Sequence, residues 1–127
     1  VTGVQTCALP ISVSVDAGDV LGIGVSMAVP NCTGGYITLV GASVTLGQYA
    51  SQVRELLGKF PGTSYVLTRD QCTSLRQQMP DGSDIYVVYF GPYETVAEAC
   101  FARGAGPVDA YVKRLDNSSD PNTAVDC

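Results

Sequence analysis

Runs of β-branched and aromatic residues alternate along the chain with stretches whose apolar side chains recur at helical spacing. The longest run, residues 85–90, lies between a Pro-Asp-Gly-Ser turn and Gly91-Pro92. It predicts a buried strand that stops at Pro92, because proline has no N–H to donate to a sheet ladder. After this corner, residues 93–103 predict a helix that closes at Gly104. Its predicted buried face consists of Tyr93, Val96, Ala97, Cys100 and Phe101.

The alternation of strand and helix patterns extends over most of the chain. The first predicted helix covers residues 46–59, with Thr45 as its N-cap. The predicted strands cover residues 36–41, 64–68, 85–90 and 110–115. The resulting order, strand–helix–strand–strand–helix–strand, is the split βαβ arrangement. We therefore predict an α+β fold, βαββαβ, with a four-stranded antiparallel sheet, both helices on one face and the other face open to a ligand.

The chain before the first predicted strand divides into two segments. Residues 1–11 (VTGVQTCALPI) resemble a translated sequencing adaptor, so we set them aside as an artefact and expect the natural upstream segment to be missing. Residues 12–31 contain short apolar pieces interrupted by Ala, Gly and Asp, which favours a linker or leader with an edge strand at residues 24–29. A turn cluster at residues 30–35 indicates the boundary, and the predicted domain covers residues 32–127.

Composition restricts the possible partners. A hydrophobic fraction of 46% with only 15% charged residues favours a folded core over disorder. The formal net charge of −5 argues against nucleic acid and against an anionic membrane surface, since both select for clustered Lys and Arg. No apolar stretch is long enough to span a bilayer, so we expect membrane attachment only through a missing upstream segment.

The cysteines predict a disulfide framework. Of the five cysteines, Cys7 falls in the adaptor-like segment, which leaves Cys32, Cys72, Cys100 and Cys127. An even number in a small domain favours disulfides and an oxidising, extracytoplasmic compartment, with four buried free thiols as the alternative. Three pairings are possible, and we favour Cys72–Cys100 and Cys32–Cys127. We expect no metal, because the chain has no histidine and no C-x-x-C spacing.

The residues that carry catalysis in other proteins have no productive arrangement in this sequence. Asp81 and Asp84 lie in a predicted turn, and Glu94 and Glu98 lie on the exposed side of a predicted helix. Paired carboxylates for glycosidase chemistry would need to flank a cleft. The sequence also lacks a nucleophile elbow and a glycine-rich phosphate loop. We therefore expect a non-catalytic protein without a cofactor.

From Tyr36 to Leu115 the chain resembles a SPOR (sporulation-related repeat) domain. The first predicted strand ends in Gly41-Ala42-Ser43, and Gly91-Pro92-Tyr93 is followed by an alanine-rich helix with Ala97 and Ala99. The sequence departs from that family where residues 87–90 replace an arginine-rich strand. The resemblance implies an extracytoplasmic module whose open sheet face binds peptidoglycan glycan strands stripped of their stem peptides.

Three segments carry a second resemblance. TRDQCTSLR, DIYVVYFGPYETVAEAC and DAYVKRLDN are similar to a cysteine-paired, C-terminal extracytoplasmic domain of actinobacterial proteins, including some receptor serine/threonine kinases. This likeness implies a kinase or membrane segment upstream. It also leaves a second function open, a sensor or protein-interaction domain of a membrane-tethered kinase or envelope protein.

Strand alternation predicts the ligand-binding residues. If Phe90 packs under the helices, Tyr89 lies on the open face of the sheet. We expect Tyr65 or Val66 to lie beside it, together with Tyr111 and Lys113. Tyrosine rings stack on sugars, and a lysine donates hydrogen bonds to hydroxyl groups or carboxylates. The alternative is that these side chains only fill the core or form cross-strand pairs.

Overall fold

The computed structural model describes residues 14–127, which form a four-stranded antiparallel sheet, a two-stranded sheet and two α-helices. The adaptor-like segment and the first two residues of the predicted leader lie outside the described residues. In chain order the elements are β1 (Ser14–Asp16), β2 (Ala28–Pro30), β3 (Tyr36–Ser43), α1 (Tyr49–Lys59), β4 (Ser64–Leu67), β5 (Tyr86–Tyr93), α2 (Val96–Ala102), a 3₁₀ turn (Arg103–Ala105) and β6 (Tyr111–Arg114).

The large sheet has the strand order β4-β5-β3-β6, with every neighbouring pair antiparallel. This order places the first and third strands of the βαββαβ unit at the centre, so the predicted α+β fold is confirmed. Strands β1 and β2 pair with each other in a separate hairpin. Neither α-helix within residues 14–127 has the length and apolar character needed to cross a membrane.

Both helices pack on one face of the sheet, which we call the helix face. Here the Thr38 hydroxyl donates to the Ala99 carbonyl of α2 at 2.6 Å. The Ser43 hydroxyl donates to the side chain of Gln52 on α1, also at 2.6 Å. Between them, a Cβ at position 41 would lie 2.9 Å from the methyl groups of Leu56, so only glycine permits this approach of α1.

Strand β5 continues to Tyr93, so the prediction that it stops at Pro92 was wrong. Tyr36 is the partner of Tyr93 and Thr38 is the partner of Phe90, which leaves Gly91 and Pro92 bulged opposite a single residue of β3. A bulge releases residues from the ladder, and proline is tolerated at such a position.

The predicted face of the second helix was also wrong. Thr95 caps the helix through a capping box with Glu98, so α2 begins at Val96 and not at residue 93. Ala99 is the residue buried against the sheet, whereas Phe101 is 89% exposed. Two residues correspond to a rotation of about 200° around a helix, which places Phe101 on the opposite side from Ala99.

The four cysteines form two disulfides, Cys32–Cys72 and Cys100–Cys127. The expectation that all four are paired is confirmed, but the favoured connectivity was wrong. The loop after β4 lies beside residues 31–32, where the Cys72 Sγ atom is 3.9 Å from the Asn31 carbonyl oxygen. The C-terminal tail runs back along β6, where the Val125 amide donates to the Val112 carbonyl at 2.8 Å, and from there reaches α2. Two intramolecular disulfides indicate an oxidising, extracytoplasmic environment.

The second face of the sheet, turned away from the helices, is covered over much of its area. The Tyr89 hydroxyl donates to the Ala28 carbonyl, so the hairpin of β1 and β2 lies over this tyrosine. The same covering segment also passes around the β4 edge of the sheet, where the Val25 carbonyl accepts a hydrogen bond at 2.8 Å from Tyr65 on the helix face, and Met27 is buried in the core. The segment that follows residue 14 therefore packs on the large sheet, while the domain boundary at residue 32 stays a prediction.

Candidate functional site

A cleft of about 380 Å³ remains on the second face, between the covering segments. Its floor comes from the apolar side chains of β3 and β5, including Leu39 and Val87. One wall is the loop between β4 and β5, and the other is the C-terminal tail. The lining residues are Leu39, Ala42, Val44, Thr68, Leu75, Arg76, Met79, Ile85, Val87, Tyr111, Lys113, Pro121, Asn122, Thr123 and Ala124.

Two of the four predicted ligand-binding residues line this cleft. Tyr111 is paired with Leu39, and Lys113 is paired with Ile37, so these two side chains of β6 project from the second face. Tyr89 lies on the same face, as the strand alternation predicted, but it is fully buried beneath the hairpin. Its position explains why burial raises the pKa of the Tyr89 hydroxyl to about 12.

The prediction that Tyr65 shares this face was wrong. Tyr65 is the partner of Val88, which is the partner of Gly41 on the helix face. Its ring lies 6.4 Å from the ring of Tyr86, and the side chain is fully buried. Tyr65 therefore belongs to the core between the sheet and α1, as the alternative interpretation of these tyrosines had it.

Lys113 holds the wall of the cleft instead of presenting a free charge. Its ammonium donates three hydrogen bonds to tail carbonyls, those of Asp120 at 3.2 Å, Pro121 at 3.0 Å and Thr123 at 2.8 Å. An ammonium has three donors, so these bonds use all of them. Burial lowers the pKa of Lys113, although the carboxylates of Asp120 and Asp116 act in the opposite direction.

Tyr111 is the aromatic side chain that the cleft presents. It is 46% exposed, whereas Tyr89 on the same face is fully buried. Burial of the hydroxyl raises the pKa of Tyr111, although the charge of Arg76 opposes that shift. The phenol therefore stays protonated at neutral pH and can both donate and accept a hydrogen bond, while its ring offers an apolar surface.

Arg76 is a site residue that the sequence reasoning missed. It lies in a segment predicted only as a polar loop, and its exposed guanidinium donates to the Asn122 side chain of the tail at 3.0 Å. The Arg76 carbonyl accepts a hydrogen bond from the buried Thr68 hydroxyl at 2.7 Å. Its only signal in the sequence was a cation four residues after Cys72, in a loop that a disulfide would hold rigid.

Neighbouring side chains give the Arg76 loop a fixed shape. The Gln77 amide donates to the carbonyls of Cys72 at 3.0 Å and Leu75 at 2.9 Å. Ser74 is buried and its hydroxyl donates to the Arg114 carbonyl of β6. Because these bonds tie the loop to both Cys72 and β6, the wall carrying Arg76 is preorganised for a ligand.

The cleft thus combines an apolar floor, one half-exposed tyrosine ring and one exposed guanidinium. Its lining contains no carboxylate side chain and no cysteine. Over the described part of the chain, no group of three or more His, Cys, Asp or Glu side chains is placed to hold a metal ion. Chemically, this arrangement can stack a ring, accept and donate hydrogen bonds, and pair with an anion.

Comparison with known proteins returned no match: no family model, no curated protein and no solved structure matches this chain. The likeness to SPOR domains and to the cysteine-paired actinobacterial domain therefore stays a prediction.

Proposed function

We propose that this protein is a non-catalytic, extracytoplasmic binding module of the cell envelope that takes a short segment of peptidoglycan glycan into the cleft. The observation that carries the proposal is that Tyr111 of β6 and Arg76 of the β4–β5 loop line the same cleft of about 380 Å³, which has an apolar floor. The two disulfides support a location in the envelope or outside the cell.

The size of the cleft favours a short ligand. A volume of about 380 Å³ falls at the lower end of the range typical of small-molecule sites. The hairpin and the tail cover the sheet on either side of the cleft, so a long glycan strand cannot lie flat across the whole face. A strand end or a few sugar rings is the segment that the walls admit.

The chemistry of the walls favours a sugar that carries a carboxylate. A tyrosine ring stacks against the apolar face of a sugar, and its hydroxyl exchanges hydrogen bonds with sugar hydroxyl groups. An arginine pairs with a carboxylate through two parallel N–H donors. Glycan stripped of its stem peptides exposes a lactyl carboxylate on every second sugar. That carboxylate can pair with Arg76, a local positive charge in a protein whose formal net charge is −5.

The test is co-sedimentation of the full chain with purified peptidoglycan sacculi, before and after an amidase removes the stem peptides. We expect pelleting to rise after amidase treatment. Arg76→Ala or Tyr111→Ala should lower the affinity about tenfold, because each removes one charge-assisted or stacking contact. Arg54→Ala is the matched control, since Arg54 is exposed on α1, away from the cleft. Equal pelleting of Arg76→Ala and Arg54→Ala would contradict the proposal.

A second candidate function is a sensor or protein-interaction domain of a membrane-tethered kinase or envelope protein. The observation that favours it is apolar exposure away from the cleft: Phe101 is 89% exposed, Val108 fully exposed and Leu46 85% exposed. Each of these exposed apolar side chains is available for contact with a protein partner. Absence of pelleting under every condition would favour this function over glycan binding.

A further inference from the structure

We infer that the C-terminal tail, residues 116–127, is a redox-sensitive strap: with Cys100–Cys127 oxidised it forms one wall of the cleft, and reduction of that disulfide releases the wall. The inference rests on the proposed function only in taking the cleft to be the ligand site. The starting observation is that residues 121–124 line the cleft while Cys127 fastens the chain end to α2.

Non-covalent contacts fasten the start of the strap firmly and its remainder at fewer points. The Asp116 backbone exchanges hydrogen bonds with Ser74, and the Asn117 side chain accepts from the Thr73 amide. Beyond residue 119, Lys113 donates to three carbonyls, Arg76 donates to the Asn122 side chain, and the Val125 amide donates to β6. In residues 120–127 only Val125 is even half-buried, and the other side chains are exposed. For a segment with little buried apolar surface, the free-energy cost of local opening is a small fraction of the global free energy of unfolding. Beyond residue 119, the disulfide therefore adds a covalent restraint to the hydrogen bonds from Lys113.

The two disulfides differ in access to a reductant. Cys127 is exposed and Cys100 is half-buried, whereas Cys72 is fully buried and its partner Cys32 is half-buried. Thiol–disulfide exchange requires a thiolate to reach one of the sulfur atoms. A reductant thus reaches Cys127 Sγ in the folded protein, while Cys32–Cys72 survives and keeps the Arg76 wall in place.

The reductant is a dithiol, either a thioredoxin-type protein or dithiothreitol. Its thiolate attacks Cys127 Sγ, which forms a mixed disulfide, breaks the Cys100–Cys127 bond and releases Cys100 as a thiolate that takes a proton. The second thiol of the reductant then attacks the mixed disulfide. This step frees Cys127 as a thiol and leaves the reductant as a disulfide, so two electrons and two protons pass to the protein.

Release of the strap changes the cleft at both walls. Tail residues 121–124 move away from β6, and Arg76 loses Asn122 as its hydrogen-bond partner. A ligand then contacts only one wall and the floor, and it must order the strap again in order to bind. The oxidised protein is therefore the high-affinity form, and reduction lowers the affinity.

The test begins with limited reduction by dithiothreitol, alkylation with iodoacetamide and mass spectrometry of the cysteine peptides. We expect Cys100 and Cys127 to be alkylated before Cys32 and Cys72. In the same samples, hydrogen exchange at the Val125 amide should become about tenfold faster, because its opening no longer strains a covalent link. Amides of α1 and β3 serve as the internal control and should stay protected.

The variant Cys100→Ser with Cys127→Ser should reproduce the fast exchange without reductant, and it should bind amidase-treated sacculi about tenfold more weakly than the parent chain. Failure of the oxidised parent to bind sacculi would defeat the proposed function, while faster exchange on reduction would still support the strap. Unchanged exchange at Val125 after the disulfide is broken, or earlier alkylation of Cys32 and Cys72, would overturn the strap.

Discussion

Tyr89→Ala is expected to lower the free energy of unfolding by about 4 kcal/mol, the middle of the range for a buried aromatic residue. The side chain is fully buried on the second face, where the hairpin covers it. The substitution removes the ring, leaves a cavity between the sheet and β2, and leaves the Ala28 carbonyl without its donor. Urea denaturation with both disulfides intact measures the change.

Tyr89→Phe is the matched control for this prediction. It keeps the ring and removes only the hydrogen bond to Ala28, so we expect a loss of about 1 kcal/mol. A Tyr89→Ala protein as stable as the Tyr89→Phe protein would mean that the hairpin does not pack on this face. The cleft would then be wider than the structure shows.

Removal of the Cys32–Cys72 bridge by Cys32→Ser with Cys72→Ser is expected to lower the free energy of unfolding by at least about 4 kcal/mol. The bridge spans 40 residues, and the loop-closure estimate for that length gives about 4 kcal/mol. Position 72 is also fully buried, so a serine hydroxyl there adds the desolvation of a polar group. Urea denaturation of the oxidised proteins measures the loss.

The comparison variant for this bridge is Cys100→Ser with Cys127→Ser. That bridge spans 27 residues and joins half-buried and exposed positions, so its removal should destabilise the protein less. A larger loss of unfolding free energy on removal of Cys100–Cys127 would contradict the expectation that Cys32–Cys72 contributes more to stability.

The fold was predictable because each core strand and helix has its own local pattern. Residues 85–90 carry the apolar run of a central strand, and their alternation placed Tyr89 away from Phe90 and the helices, as the pairing with β3 confirms. The same alternation placed Tyr111 and Lys113 on the second face. Strand parity follows from a period of two, so a single correctly assigned residue orients the whole strand.

The predictions that were wrong concern features decided by tertiary contacts. Spacing along the sequence does not determine disulfide pairing, because each of the three pairings closes loops of acceptable length. The starting point of α2 depends on the cap at Thr95, and packing on the sheet buries Ala99 and leaves Phe101 exposed. The covering hairpin and tail have little apolar periodicity, so nothing in the sequence predicted that they would narrow an open sheet face to a cleft.

The Lys113 side chain illustrates the difference between position and role. Strand alternation predicted its face correctly, but the three carbonyls that surround its ammonium come from the tail. That tail was predicted only as a polar segment pinned by Cys127. A lysine that would bind a ligand on an open face instead holds the wall of the site.

Binding of a glycan segment between Tyr111 and Arg76 can be followed residue by residue in an NMR titration. The ¹⁵N-labelled, oxidised full chain would be titrated with short glycan fragments that lack stem peptides. We expect saturable chemical-shift changes at the backbone amides of residues 74–77, 111–113 and 121–124, and unchanged shifts at the amides of α1. Shifts centred on α2 around Phe101, or none at any amide, would contradict this binding.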